Sequence, residues 1–198
     1  VEQALRAGYD AIHVDGSKLS FEDNVALTKS VVQLSKKYKV NVVEGELGTL
    51  PGSSIKHSGV APIDEKEFTN PLKAQEFVEE TGVRSLAIVF GNAHGIFAGE
   101  ERLDIERLQE IKKSVQSYIV LHGGSGISQK DVREAIRNGI VKVNVSTDLR
   151  IAYTNTFVEQ IALHPEEVTP YKLLPPVVGA IKETVVKHIR LYRSNNKL

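Results

Sequence analysis

Short apolar runs alternate with longer amphipathic stretches along the whole chain. Residues 10–14, 40–43, 85–90, 118–121 and 140–143 are brief and dominated by Val, Ile, Leu and Ala. Runs of that length and composition predict buried strands. Between them apolar positions recur at helical spacing, as Val25, Val31, Val32 and Leu34 do between Ser20 and about Tyr38. Ser20 with Asp23 reads as a capping box carrying Asp in place of Glu. Asn70-Pro71 reads as a helix start and Gly82 as its stop. Further helices are expected at about 104–113, from Ser128 to Gly139, and at about 148–163 and 176–192. Residues 49–68, rich in Pro, Gly and Ser, read as one long loop of the kind that often serves as a functional lid.

Five strand–helix units with no hairpin turn predict a parallel sheet covered by helices. Two arrangements compete: a doubly wound open sheet, and part of a (β/α)8 TIM barrel. The first strand–helix turn, Asp15-Gly16-Ser17, lacks the G-x-G-x-x-G pattern of dinucleotide-binding sheets. A full barrel takes about 250 residues, and this chain has 198. Val1 is not an initiator and Met is absent throughout, and residues 1–8 read as the tail of a helix ending at Gly8. The expectation is therefore a single partial barrel domain over residues 1–198. It would comprise about five βα units, strands 4–8, with the first three upstream.

Composition narrows the chemistry. The formal net charge is zero, so nothing points to nucleic acid or another polyanion. With no Cys, disulfides and thiolate metal sites are excluded. No apolar run reaches the roughly 20 residues a membrane helix needs.

Candidate chemistry gathers at strand ends. The run at 86–93 reaches His94-Gly95, and Tyr118–Leu121 reaches His122-Gly123-Gly124-Ser125-Gly126. Ligands bind at the carboxyl ends of strands in α/β folds. Asp15 and Glu46 also follow apolar runs beside Gly. Imidazole and carboxylate are good zinc ligands, and a catalytic zinc needs about three of them plus an open position. His13 alternates with Asp15 along one strand and is read as a packed core histidine. His57, His164 and His188 are read as surface residues. The second group is Gly123, Gly124 and Ser125 with Asn144, Val145, Ser146 and Thr147. Both segments lie between a strand and a helix, where close backbone approach and helix N-termini favour an anion. Counted back from the last strand, they occupy the two loops that hold phosphate in (β/α)8 enzymes.

These motifs together resemble the class II, zinc-dependent ketose-bisphosphate aldolases, which include fructose- and tagatose-1,6-bisphosphate aldolases. The likeness rests on five ordered segments: His13–Ser17, Glu44–Gly48, Gly91–Gly95, Leu121–Gly126 and Asn144–Asp148. The resemblance implies a cytoplasmic (β/α)8 lyase, a homodimer or homotetramer when full length, with Zn2+ as cofactor and no nucleic-acid or membrane partner. His94 and His122 would be two of three catalytic zinc ligands, with Asp15 and Glu46 at a second or alternative metal position. Gly95, Gly123, Gly124, Ser125 and residues 144–147 would bind dihydroxyacetone phosphate. The reaction implied is aldol cleavage of a ketose 1,6-bisphosphate to dihydroxyacetone phosphate and glyceraldehyde 3-phosphate through a metal-stabilised enediolate.

Three departures from the family pattern stand out. The third zinc His and its neighbouring proton-donor Asp belong to strand 3, which would precede Val1. Pro51-Gly52-Ser53-Ser54 occupies the loop where many members carry an acid–base carboxylate, a role no hydroxyl fills near neutral pH; Glu65 or Glu67 later in the loop is the substitute to examine. Ala98 stands where a Lys is common. Two alternatives follow: a non-catalytic barrel subunit supporting a partner aldolase, and another metal-dependent enzyme of sugar phosphates. The 198-residue chain by itself is expected to be inactive, because open strand edges invite association.

Overall fold

A computed structural model describes residues 1–99 and 102–195. After a short helix α1 (Glu2–Arg6), the chain runs β1 (Ala11–Val14), α2 (Phe21–Lys37), β2 (Val42–Leu47), β3 (Gly52–Lys56), α3 (Pro71–Thr81) and β4 (Ser85–Ile88). It continues through β5 (His94–Ile96), α4 (Ile105–Ser114), β6 (Tyr118–Leu121), α5 (Gln129–Arg137), β7 (Ile140–Val143), α6 (Thr147–Leu163) and α7 (Pro170–Leu191). Five strands form one parallel sheet in the order β1-β2-β4-β6-β7.

That order never reverses. A doubly wound sheet has a switch point where strand order turns back, and none exists among the described residues. The sheet is singly wound, as in a barrel wall. Helices α2, α3, α4 and α5 pack side by side in sequence over one face.

The two faces differ sharply. Ile12, Val14, Val43, Leu86, Ile88, Ile119, Leu121 and Ile140 point at the helices and build the core with Phe77, Leu108, Ile111 and Val132. Period-two alternation then sends Ala11, His13, Glu44, Glu46, Ser85, Ala87, Val120 and Lys142 to the other face. Register lines them up: His13 pairs with Glu44, Glu44 with Ser85, and Val120 with Lys142. The chemistry lies on this polar face.

Local signals work as their chemistry dictates. The Ser20 hydroxyl accepts from the Asp23 amide and donates to its carboxylate. Asn70 accepts from the amides of Leu72 and Lys73, and Gly82 closes α3 in the left-handed region at φ 69°. Ser128 caps α5 through the Asp131 amide.

Three elements depart from the sequence pattern. Strand β2 extends to Leu47, so Glu44 and Glu46 lie within the strand rather than after it. Helix α7 begins at Pro170 and contains Pro175 and Pro176; packing of Leu173 and Val177 carries the helix through a double proline. The segment 49–68 is not one irregular loop. Strand β3 within it pairs in parallel with β5, and Glu65–Glu67 forms a single 3-10 turn. The Pro51 carbonyl accepts from the His94 amide at 2.8 Å, and the Ile96 carbonyl from the His57 amide at 2.8 Å. The His57 ring stacks on Phe97 with centroids 4.2 Å apart. Gly and Ser lack the alternation that marks a strand, so this pairing is set by a distant partner.

Candidate metal centre and anion-binding loops

His122 leaves the end of β6 with its side chain 4% exposed. Its two ring nitrogens meet two carboxylates of β2: Nε2 lies 3.0 Å from Glu44 Oε1 and Nδ1 lies 3.1 Å from Glu46 Oε2. Lys142 Nζ donates to both Glu44 oxygens, at 3.0 and 2.9 Å, and the Ser85 hydroxyl adds a third hydrogen bond. On the other side His13 Nε2 lies 3.2 Å from Glu46 Oε2, with the His13 and His122 rings edge to face at 5.0 Å. A charged row thus crosses the polar face from β1 to β7.

Electrostatics follow from that packing. Burial alone would raise the two carboxyls, but hydrogen bonds outweigh it and hold both at about 2. They come from His122 and Lys142 at Glu44, and from His122 and His13 at Glu46. Burial opposes a charge on His122 too, yet Glu44 and Glu46 raise it to about 9. His94 behaves oppositely. Burial lowers its pKa, so at neutral pH it is a neutral imidazole, the form that binds metal.

Donor atoms of His13, Glu46 and His122 all lie within 4.8 Å of one another, which makes them a candidate metal group. His94 is half-buried beside them; Glu46, His122 and Asp15 are the charges that act on it. Asp15 is exposed, and its Oδ1 accepts from the Ser17 amide and hydroxyl at 3.0 and 2.6 Å. The structure therefore joins Glu46 and His122 directly and places His94 and Asp15 next to them without bringing them into the same close group.

His13 is not the packed core histidine its spacing suggested, since its side chain is 39% exposed and turned to Glu46. The i, i+2 relation to Asp15 was the signal, because it put both on the polar face. Glu44 stood in the motif beside Glu46, and Lys142 looked like an ordinary strand lysine. Two buried asparagines hold the frame. Asn92 Nδ2 donates to the His122 and Ile88 carbonyls, and Asn24 Nδ2 donates to the Glu46 carbonyl.

The anion-binding candidates also converge. Gly124 donates to the Asn144 carbonyl and Asn144 to the Leu121 carbonyl, both at 2.9 Å, so the two loops are knitted together. Ser125, 2% exposed, accepts at its hydroxyl from the Asp148 amide at 3.2 Å. Ser146 makes no side-chain cap on α6, so within that first turn the Asp148 amide is met by Ser125 rather than by the N-cap residue. Gly95 (φ 117°) lies between β3 and this pair of loops, against the Ser53 and Ile55 carbonyls and close to Gly126. Gly123 has φ 67°, and a Cβ there would strike the Ala93 carbonyl. Gly123→Ala is therefore expected to cost about 2 kcal/mol or more, visible as a lower urea midpoint together with weaker phosphate binding.

Residues 1–197 match the family model for class II fructose-bisphosphate aldolase. The chain belongs to the class II fructose-bisphosphate aldolase family. Within it, the chain is 39% identical over 193 residues to the D-tagatose-1,6-bisphosphate aldolase subunit GatY of Klebsiella oxytoca. That match takes in 96% of this chain and 66% of the relative, so the chain spans about two thirds of that relative's length. Among solved structures it superposes on the YdjI aldolase of Escherichia coli K12 with a TM-score of 0.80 and 32% identity, over 98% of this chain and 65% of that one. Fructose-bisphosphate aldolase of Campylobacter jejuni shares the fold at a TM-score of 0.76 and 23% identity, covering 95% and 61%. Among the described residues, no helix is long and apolar enough to cross a membrane.

Proposed function

We propose that this aldolase-family chain forms strands 4–8 of a (β/α)8 barrel and carries most of a metal-dependent site. That site would cleave and form ketose 1,6-bisphosphates through dihydroxyacetone phosphate and glyceraldehyde 3-phosphate. One observation carries the reading: His122, Glu46 and His13 bring their donor atoms within 4.8 Å of one another on the polar face of the sheet, with His94 beside them and two interlocked glycine-rich loops following β6 and β7.

The donor set fits zinc. It offers nitrogen and carboxylate oxygen donors within reach of one ion, in a largely buried setting with ring orientation already imposed. His122, Glu46 and His13 lie within reach of one ion, and His94 and Asp15 stand beside them as the further ligands of the site. Zn2+ bound there would supply the Lewis acidity that polarises the ketone and hydroxyl oxygens of the substrate.

The chain's own groups do the rest. Gly123, Gly124, Ser125 and residues 144–147, with Gly95 beside them, would form the phosphate site: the Gly124 and Asn144 amides and the Ser125 hydroxyl knit the two loops together, and the loops' remaining polar groups would meet the anion. That fixes the three-carbon unit relative to His122 and His94, which is the positioning an aldol reaction needs. Glu44, braced by Lys142 and Ser85, orients the His122 ring. Ser53 lies in β3 and Glu65 and Glu67 in the 3-10 turn, and the Pro51 carbonyl holds the His94 amide.

Metal analysis and coupled assays of fructose- and tagatose-bisphosphate cleavage test the reading. Activity that tracks zinc content and vanishes with a chelator is expected from the intact gene product; a zinc-free protein inert toward both sugars would sink it. The 198-residue chain alone is expected to be inactive, since β1 and β7 each have a strand on one side only. A second reading, a non-catalytic supporting subunit, draws on His122 having both nitrogens satisfied by carboxylates without a metal. Co-purification with a second aldolase chain and failure to bind zinc alone would favour it.

A further inference from the structure

Helix α6 begins at the last of the anion-binding loops, and its second residue is an aspartate. A carboxylate in a helix's first turn is favoured by the positive N-terminal end and, turned back onto the amides there, competes with any anion for them. Asp148 does not. Its amide serves Ser125, while its carboxylate turns to the C-terminal helix, where His188 Nε2 lies 3.1 Å from Oδ2. Behind that ring, Tyr192 Oη lies 3.0 Å from His188 Nδ1, with ring centroids 5.4 Å apart. Burial, reinforced by the Asp148 charge, raises the Tyr192 hydroxyl to about 12, so it keeps its proton. Tyr192 and Asp148 thus hold the two ring nitrogens of His188 from opposite sides. The His188 and Asp148 side chains are only 16% and 26% exposed, and no other basic side chain among the described residues bridges to Asp148.

Among the described residues, the His188 imidazole is thus the basic group that bridges α7 to a carboxylate lodged at the candidate phosphate site. The chain from Ser125 through Asp148 and His188 to Tyr192 ties the loop after β6, the start of α6 and the end of α7 into one unit. We propose that His188 is a positioning residue for phosphate: it holds the Asp148 carboxylate against α7, away from the start of α6, and so keeps a competing negative charge out of the place the anion would take beside the Ser125-bonded Asp148 amide.

This rests on the reading of Gly123–Ser125 and Asn144–Thr147 as phosphate loops, and the test separates the two. Inorganic phosphate binding is measured by calorimetry on the intact, zinc-loaded protein, alongside KM and kcat for the ketose bisphosphate. His188→Ala frees the carboxylate, and is expected to weaken phosphate binding and raise KM five- to tenfold, with kcat within twofold. His188→Gln keeps an amide hydrogen near the Nε2 position and is expected to stay within twofold of wild type. Asp148→Asn removes the competing charge, so the His188→Ala/Asp148→Asn double variant is expected to recover phosphate affinity to within twofold of Asp148→Asn alone. A merely structural histidine would lower kcat and thermal stability and would not be rescued by Asp148→Asn; that pattern overturns the inference, as does unchanged phosphate affinity in His188→Ala. Wild-type protein that binds no phosphate overturns the phosphate-loop reading itself, and the inference with it.

Discussion

Replacing His122 with alanine is expected to destabilise the protein by about 3–5 kcal/mol, the range for breaking a buried ion pair from one side. The imidazole sits between Glu44 and Glu46, which are 5% and 4% exposed, and it is the group that lets both stay ionised there. Without it, Lys142 reaches only Glu44 and half-exposed His13 only Glu46. Two carboxylates then face one another across the vacated space, and one must take up a proton or the strands must part. Urea unfolding at neutral pH measures the loss. His122→Gln, which keeps one amide donor, is expected to lose less. Zinc content should fall to background in both. A loss below about 1 kcal/mol for the alanine variant would show that the carboxylates are compensated from elsewhere.

The second large effect is on pH. Glu44 and Glu46 are held at about 2 against an ordinary 4.5. Their contribution is present above 4.5 and is lost as pH falls through 2. His122 is raised from 6.5 to about 9, so its contribution is complete below 6.5 and is lost as pH rises through 9. For the metal-free protein this cluster therefore stabilises most between about 4.5 and 6.5. The alkaline decline corresponds to about 3 kcal/mol. Thermal unfolding from pH 4 to 10 in the presence of chelator should trace that shape, and a flat profile from 6.5 to 9 would contradict the charge arrangement. Zinc reverses the alkaline limb. A ligating His122 must give up its proton, so apparent zinc affinity should climb about tenfold per pH unit between 6.5 and 9. Zinc-buffered titrations at pH 7 and 8 would show it.

Much of this site was legible along the chain. His94 and His122 each close an apolar run and precede Gly, and the Gly-rich segment after His122 marks a place where backbone must come close. The structure explains that need in contacts: Gly123 lies against the Ala93 carbonyl, and Gly124 against Val143 and the Asn144 carbonyl. What could not be read is which side chains meet. Glu44 and His122 are 78 residues apart and Lys142 is 98 from Glu44. They converge because β2, β6 and β7 send alternate residues to one face of a singly wound sheet. The place of His13 is hidden for the same reason, since a single strand reveals the alternation but not what the neighbouring strand presents opposite. The pairing of β3 with β5 was likewise invisible, because its partners carry Gly and Ser and the pairing is made by backbone groups.

The sequence by itself determined the rhythm of strands and helices, the caps that begin and end them, the glycines at strand ends and the family these belong to. Those features are local: an apolar period, a side-chain cap or a left-handed turn acts over a few residues. Only the tertiary structure decided that His122 lies between two carboxylates, that His13 joins Glu46 while His94 stays neutral beside them, and that Asp148 is held by a histidine on the last helix. Ionisation and ligand geometry depend on distances of about 3 Å between groups far apart in the chain, and strand register sets those distances.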